Sequence, residues 1–330
     1  MKTYDLHSHV IPPTIVEAMK RDPQRFGMKV EERDGKIYFE RRGQVSEMEP
    51  EFFSAEAKVA AMDRMKIDVS ALSVAPPTYF YALPPDAGLA ASKLSNDGIA
   101  QMVAKHPDRL RGMATLPMQD PDAAIVELER VVKEYKFKAV EIGTSVEGEQ
   151  LAHPKFRKLL KTIEQLGCFI FTHPYACSAK GGMDGFELFN LIGYPLDSTI
   201  MIAHLMLTGA LDDLKKLKIV VPHGGGYVPY QIGRFEHGHK NRPAASSKTK
   251  SSPYEMLKRF YFDALTHDPR STRHLINVMG ADHVVIGTDN PFNMGYEDPL
   301  GRLDATPGIT AEEREWIRSR TAAMLLGEQP

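Results

Sequence analysis

Short β-branched, apolar runs alternate with longer segments of helical period from one end of this sequence to the other, and that alternation leaves few architectures open to it. Eight runs read as strands: Thr3–His7, Val69–Val74, Arg111–Thr115, Ala139–Ile142, Cys168–Thr172, Ile219–Val221, Tyr261–Asp263 and Val284–Gly287. Several are nearly continuous in apolar character, as strands covered on both faces must be. The segments between them have recognisable helix ends. Asp120-Pro121 offers an N-cap followed by proline at the first helical position, and Ile125, Leu128, Val132 and Tyr135 then share one face. A second helix starts near Ser54 and carries Val59, Met62 and Met65 towards Ile67. Such alternation predicts parallel strands joined by helical crossovers, and about eight repeats close a (β/α)8 TIM barrel. A doubly wound sheet is the other α/β solution, but no Gly-rich loop follows the first run. The 330 residues are expected to form one metal-dependent barrel domain, 1–330. Residues 28–42, with Asp34-Gly35 between KVEER and KIYFE, read as a β-hairpin. It lies in an insertion of about 14–52 after the first strand, placed over one end of the barrel.

Ligand-type side chains recur at the ends of these runs. His7-Ser8-His9 closes the first; residues i and i+2 of a strand face the same way, so both imidazoles can meet one cation. Thr172-His173-Pro174 closes the fifth, Pro222-His223-Gly224-Gly225-Gly226 follows the sixth, and Gly287-Thr288-Asp289-Asn290-Pro291-Phe292 follows the eighth. Each fragment alone has an ordinary reading, as a hydrogen-bonded rim histidine or an Asp-Asn-Pro turn. Together they occupy equivalent positions, at the end of a barrel where active sites are built. His7, His9, His173, His223 and Asp289 are thus the candidates for a metal site.

The bulk properties exclude other classes. Lys+Arg 41 against Asp+Glu 43 gives a net charge of -2, and no basic stripe with interleaved aromatics is present, so nucleic acid is not an expected partner. No apolar run approaches the roughly 18 residues of a membrane span. The start, MKTYDLHSH, lacks the apolar core of a signal peptide. Two cysteines, Cys168 and Cys177, give no disulfide framework and fit a reducing, cytoplasmic setting.

The pattern HxHxxP, THP, HGGG and GTDxPF resembles the amidohydrolase-related metal-dependent decarboxylases, and among them the 2-amino-3-carboxymuconate 6-semialdehyde decarboxylases. The longer stretches GMATLPMQDPDAAIVELERVVKEYKFKAVEIGT, PHGGGYVPYQIGRFEHG and FYFDALTHDP carry the same resemblance, which covers nearly the whole chain. It implies a barrel holding one Zn2+, with Mn2+ as the alternative, on His7, His9, His173 and Asp289. It implies acid–base chemistry for His223, with Asp289 as a ligand that can also relay a proton. Dinuclear relatives need a carboxylated lysine at the end of the fourth strand; AVEIG offers Glu141 there, which favours a single ion.

The resemblance also implies a homodimer in which Arg234 reaches the neighbouring site and binds a small-molecule carboxylate. A second family arginine aligns with Phe39, beside Arg41 and Arg42, and the family's HPW becomes His173-Pro174-Tyr175. Phe39, Arg41, Tyr175 and His267 (in LTHDP) are therefore the other expected substrate contacts, with Phe39 as a stacking surface. The expected reaction is nonoxidative decarboxylation of a small conjugated acid, such as a hydroxylated aromatic or pyridine carboxylate or an aminocarboxymuconate semialdehyde. A zinc-dependent hydrolase of an amide, lactone or ring C–N bond is the competing expectation, because fold alone does not choose the chemistry. A scaffold protein on an enzyme frame is the third.

Overall fold

The computed structural model describes residues 1–41, 44–177 and 181–330. Eight parallel strands run in sequence order around one sheet: β1 (Tyr4–Val10), β2 (Val69–Val74), β3 (Leu110–Thr115), β4 (Ala139–Gly143), β5 (Phe169–His173), β6 (Ile219–Val221), β7 (Phe260–Asp263) and β8 (Val284–Val285). Each pairs with the next. The ring closes where β1 meets the end of the chain: Leu6 N–H donates to Ile286 O at 3.1 Å, and His9 N–H to Asn290 O at 2.8 Å. This is the TIM barrel expected from the alternation of strands and helices.

Strand positions match expectation to within a few residues, and two differences bear on the site. The first strand continues past His7 to Val10, with a bulge between Asp5 and Ser8, so both histidines lie inside it. The eighth is shorter than expected, and residues 286–290 reach β1 through isolated bridges instead of a ladder. Side chains of period two fill the barrel: Val69, Ala71, Met113, Phe169, Phe171 and Val220 belong to one buried cluster. The helical shell packs outside. The helix Pro121–Tyr135 begins as expected, with the Asp120 side chain accepting from Ala123 N–H at 3.1 Å, and buries Ile125 and Leu128.

The expected hairpin is present as Lys29–Arg33 and Lys36–Arg41, and a third strand, Gln44–Met48, extends it to a three-stranded antiparallel sheet. Asp34 and Gly35 turn the first pair with φ of 51° and 76°, the geometry that an Asp-Gly turn supplies. The third strand, QVSEM, is polar and carries an exposed Val45, so it gave no apolar alternation to read. Val30 and Phe39 face inward against Ile15, Met19, Phe26 and Phe52, a small core of their own. Among the described residues no helix is long and apolar enough to cross a membrane.

Asp5 stitches the closure. Its buried carboxylate accepts from His7 N–H (3.0 Å), Thr288 N–H (3.1 Å) and the Thr288 hydroxyl (2.7 Å). Replacing it leaves buried backbone donors unpaired, which costs more than a surface hydrogen bond. Asp5→Ala is expected to lower the unfolding free energy by about 3 kcal/mol in urea titration; an unchanged midpoint would show that the seam does not depend on it.

Candidate metal centre

β1 aims two imidazoles at one point: the Nε2 atoms of His7 and His9 are 3.1 Å apart. Asp289 Oδ1, from the loop after β8, lies 3.2 Å from each. His173 at the end of β5 completes a group whose ligand atoms all lie within 4.8 Å of one another, and all four residues are buried. These are the four residues that the family resemblance implies as ligands.

The outward faces of the rings show what the inward faces are for. His7 Nδ1 sits 2.7 Å from Asp263 Oδ2, His9 Nδ1 3.2 Å from Val74 O, and His173 Nδ1 2.7 Å from Pro174 O. Each of those partners is an acceptor, so each Nδ1 carries its hydrogen and each ring turns Nε2 inward, where an unprotonated ring presents a lone pair. His173 Nε2 and Asp289 Oδ1 form no aligned hydrogen bond among the described residues. Three lone pairs and a carboxylate crowded together on buried residues repel unless a positive charge stands between them. The donor set, three imidazoles and one carboxylate, is one that holds zinc or a similar divalent ion. The residues fit the metal.

Protonation follows the same crowding. Burial pushes the His7 imidazole down, yet the Asp289 and Asp263 carboxylates outweigh it and raise it to about 10. Burial pushes Asp289 up, but His7 and His9 hold it well below the ordinary carboxylate range. Burial lowers His9 and His173. In the metal-free protein a proton on His7 thus supplies positive charge at the centre of the group.

His223 joins the same cluster from the loop after β6, its ring 5.4 Å from that of His7 and 5.2 Å from that of His173. Its Nδ1 has no partner among the described residues. Burial, with His7 adding to it, pushes this imidazole down to about 4, so it is neutral near pH 7. His223, His267 and Asp289 all have left-handed backbones, with φ of 55°, 60° and 58°. Non-glycine residues hold that conformation at a cost and only where their surroundings enforce it. Three of them sit around one cavity of about 240 Å³, lined by His173, His223, His267 and Asp289 and walled by Pro76, Leu191, Tyr194, Phe292 and Met294.

The other expected contacts divide. His267 reaches the cavity, its N–H donating to the Tyr296 hydroxyl at 2.6 Å. Tyr175 does not line it; its hydroxyl is turned to Glu147, 3.1 Å from that residue's N–H. Phe39 does not line it either, because its strand position turns it into the core of the insertion, 6.1 Å from the Phe53 ring. The Arg41 side chain and Arg42 lie outside the described residues. Arg234 is exposed on the helix Val228–Asn241, away from this chain's own cavity, and no carboxylate pairs with it among the described residues.

Sequence reading passed over Asp263. It accepts from His7 Nδ1, from Gly224 N–H (3.0 Å) and from Leu265 N–H (3.2 Å), so it orients a ligand and the His-Gly turn together. An aspartate ending the buried run FYFD was the available signal. Glu141 stays outside the ligand group; it is fully buried with Oε1 3.8 Å from His9 Nδ1, and burial pushes it up to about 8.

Comparison with known proteins agrees with this geometry. The amidohydrolase family matches residues 4–327. The 2-amino-3-carboxymuconate-6-semialdehyde decarboxylase of Dictyostelium discoideum is 30% identical over 99% of this chain and 92% of its own length. The crystal structure of 5-carboxyvanillate decarboxylase from Sphingomonas paucimobilis superposes with a TM-score of 0.84 at 21% identity, covering 99% of both chains. A dihydroxybenzoic acid decarboxylase from Polaromonas sp., solved with manganese and the inhibitor 2-nitroresorcinol, gives a TM-score of 0.77 at 21% identity over 99% of this chain and 97% of that one.

The raised His7 sets a pH dependence. A proton held with a folded pKa of about 10 against an ordinary 6.5 favours the metal-free fold fully below pH 6.5, and that contribution is lost as pH rises through about 10. A cation must displace the proton, so apparent zinc affinity is expected to rise with pH across this window. Calorimetric titration near pH 7.5 in two buffers of different ionisation enthalpy should show release of about one proton per zinc. Equal heats in both buffers would contradict the assignment.

Proposed function

From the premise that this chain belongs to the amidohydrolase family, among its metal-dependent decarboxylases, we propose that it removes CO2 without oxidation from a small conjugated carboxylate. One divalent cation, zinc or alternatively manganese, is held by His7, His9, His173 and Asp289. The observation that carries the reading is the convergence of three inward-facing imidazole nitrogens and a carboxylate beside a cavity that His223 also lines. Nitrogen-rich ligation suits zinc, whereas the Polaromonas structure holds manganese. Glu141 lies outside the ligand group, which supports one ion over two.

When bound, the cation supplies Lewis acidity and a fixed positive charge for an oxygen of the substrate. The chain's own residues handle the proton. Decarboxylation adds a proton to the carbon bearing the carboxylate; the C–C bond then breaks, CO2 leaves, and the bonding pair returns to the conjugated system. His223, neutral near pH 7 and unpartnered at Nδ1, accepts a proton and passes it to that carbon. Asp289 keeps its charge and serves as ligand, with proton relay as its second role. The walls of Pro76, Leu191 and Phe292 suit a flat substrate, and a cavity of about 240 Å³ suits a single ring or a short conjugated chain. A hydroxylated aromatic acid, a pyridine carboxylate and an aminocarboxymuconate semialdehyde all meet that description. Arg234 supplies the carboxylate contact in a homodimer, reaching the neighbouring site from its exposed helix.

The test is CO2 release from a panel of hydroxybenzoic and picolinic acids by the metal-loaded protein. Release that stops on chelation and returns with the ion supports the reading. No CO2 from any acid, together with cleavage of an amide or lactone, overturns it in favour of a hydrolase. His223→Ala is expected to lower kcat about 10²- to 10⁴-fold while elemental analysis finds the metal retained. Arg234→Ala is expected to raise KM for the acid substrate while sizing in solution shows a dimer; a monomeric wild type or an unchanged KM would remove the shared-arginine proposal.

A further inference from the structure

Lys58 is fully buried, yet no carboxylate pairs with it among the described residues. It sits in the first turn of the helix Ala55–Met65, the first helix after the inserted sheet. Its Nζ meets four oxygens: Ser8 Oγ at 3.1 Å, His9 O at 3.0 Å, Asn290 O at 3.1 Å and Asn290 Oδ1 at 2.7 Å. Two of these belong to β1 and two to the loop that follows β8. Lysine is among the residues least often found fully buried, because its head group is costly to strip of water. An apolar side chain would fill this place at lower cost if filling it were the only need.

The position of the four oxygens indicates another need. Ser8 lies between the ligands His7 and His9, and Asn290 directly follows the ligand Asp289. At this seam the barrel closes through isolated bridges, unlike the continuous ladders elsewhere. Asp289 is further held in a left-handed backbone that must be enforced from outside. We propose that Lys58 is a positioning residue for the metal centre, tying the His9 carbonyl to Asn290 so that ligands from opposite ends of the chain stand at cation-binding distance. This rests on the metal reading above. Without the lysine, His9 and Asp289 are ordered only when the cation arrives, and the loss of freedom is subtracted from the binding energy. Outer partners of metal ligands typically contribute 10- to 100-fold in affinity.

The experiment titrates Co2+ into metal-free protein and follows its visible ligand-field bands, with affinity fixed by competition against a chromophoric chelator. Lys58→Met is expected to bind Co2+ at least tenfold more weakly, with altered band positions. Ile163→Ala, a cavity variant in the buried shell far from the cation, controls for loss of general stability. It should leave both band positions and affinity unchanged. If Lys58→Met does not fold, Asn290→Leu carries the same test, since it deletes one acceptor and keeps the lysine. Where both variants fold, their effects on affinity should be non-additive in the double variant, because they break one linkage. A folded Lys58→Met or Asn290→Leu with wild-type affinity and spectrum overturns the proposal. Wild-type protein that binds no Co2+ overturns the metal reading itself, a distinguishable failure.

Discussion

Four atoms that repel one another, three imidazole nitrogens and a carboxylate oxygen, are packed within 4.8 Å on buried residues at the barrel mouth. No folded chain keeps such an arrangement cheaply without positive charge at its centre. In the metal-free protein a proton at His7 supplies that charge; in the proposed enzyme a divalent cation does. Much of the surrounding architecture follows from this requirement. The outward nitrogens are engaged by Asp263, Val74 O and Pro174 O, which turns the other ring nitrogens towards the centre. The barrel provides the rigidity, with Phe171 packed 5.0 Å beneath the His7 ring.

The same frame separates roles that an isolated peptide could not separate. His7, His9 and His173 each engage Nδ1 with an acceptor and turn Nε2 towards one another, whereas His223 keeps its Nδ1 unpartnered among the described residues although histidines surround it too. Burial makes it a neutral imidazole, able to take a proton and give it up in turn. Asp263 links the two functions, because one carboxylate orients His7 and also fixes the Gly224 amide beside His223. A change at Asp263 therefore disturbs metal and proton handling together.

What could be read from the sequence depended on how locally each feature is encoded. His7 and His9 were legible because a strand repeats every two residues, and His173 and Asp289 because each follows a buried run at an equivalent barrel position. The inserted turn was legible through Asp34-Gly35. Asp263 and Lys58 were not, because their partners lie hundreds of residues away or on another element, and their surroundings look like ordinary strand and helix. Phe39 was misplaced for a related reason. Alignment gave its position along the chain, but pairing with Val30 and Ser46 decided its face, and that face is the core of the insertion. The third inserted strand lacked an apolar pattern because it lies at the edge of its sheet.

X-ray absorption of the zinc-loaded protein tests the central claim most directly, because it reports the atoms around the ion without reference to any activity. The account requires a shell of nitrogen and oxygen at about 2.0–2.1 Å, with outer scattering from three imidazole rings. A sulfur scatterer at about 2.3 Å would place the ion elsewhere, for instance at a cysteine, and contradict the account. An oxygen-only shell without imidazole scattering would do the same.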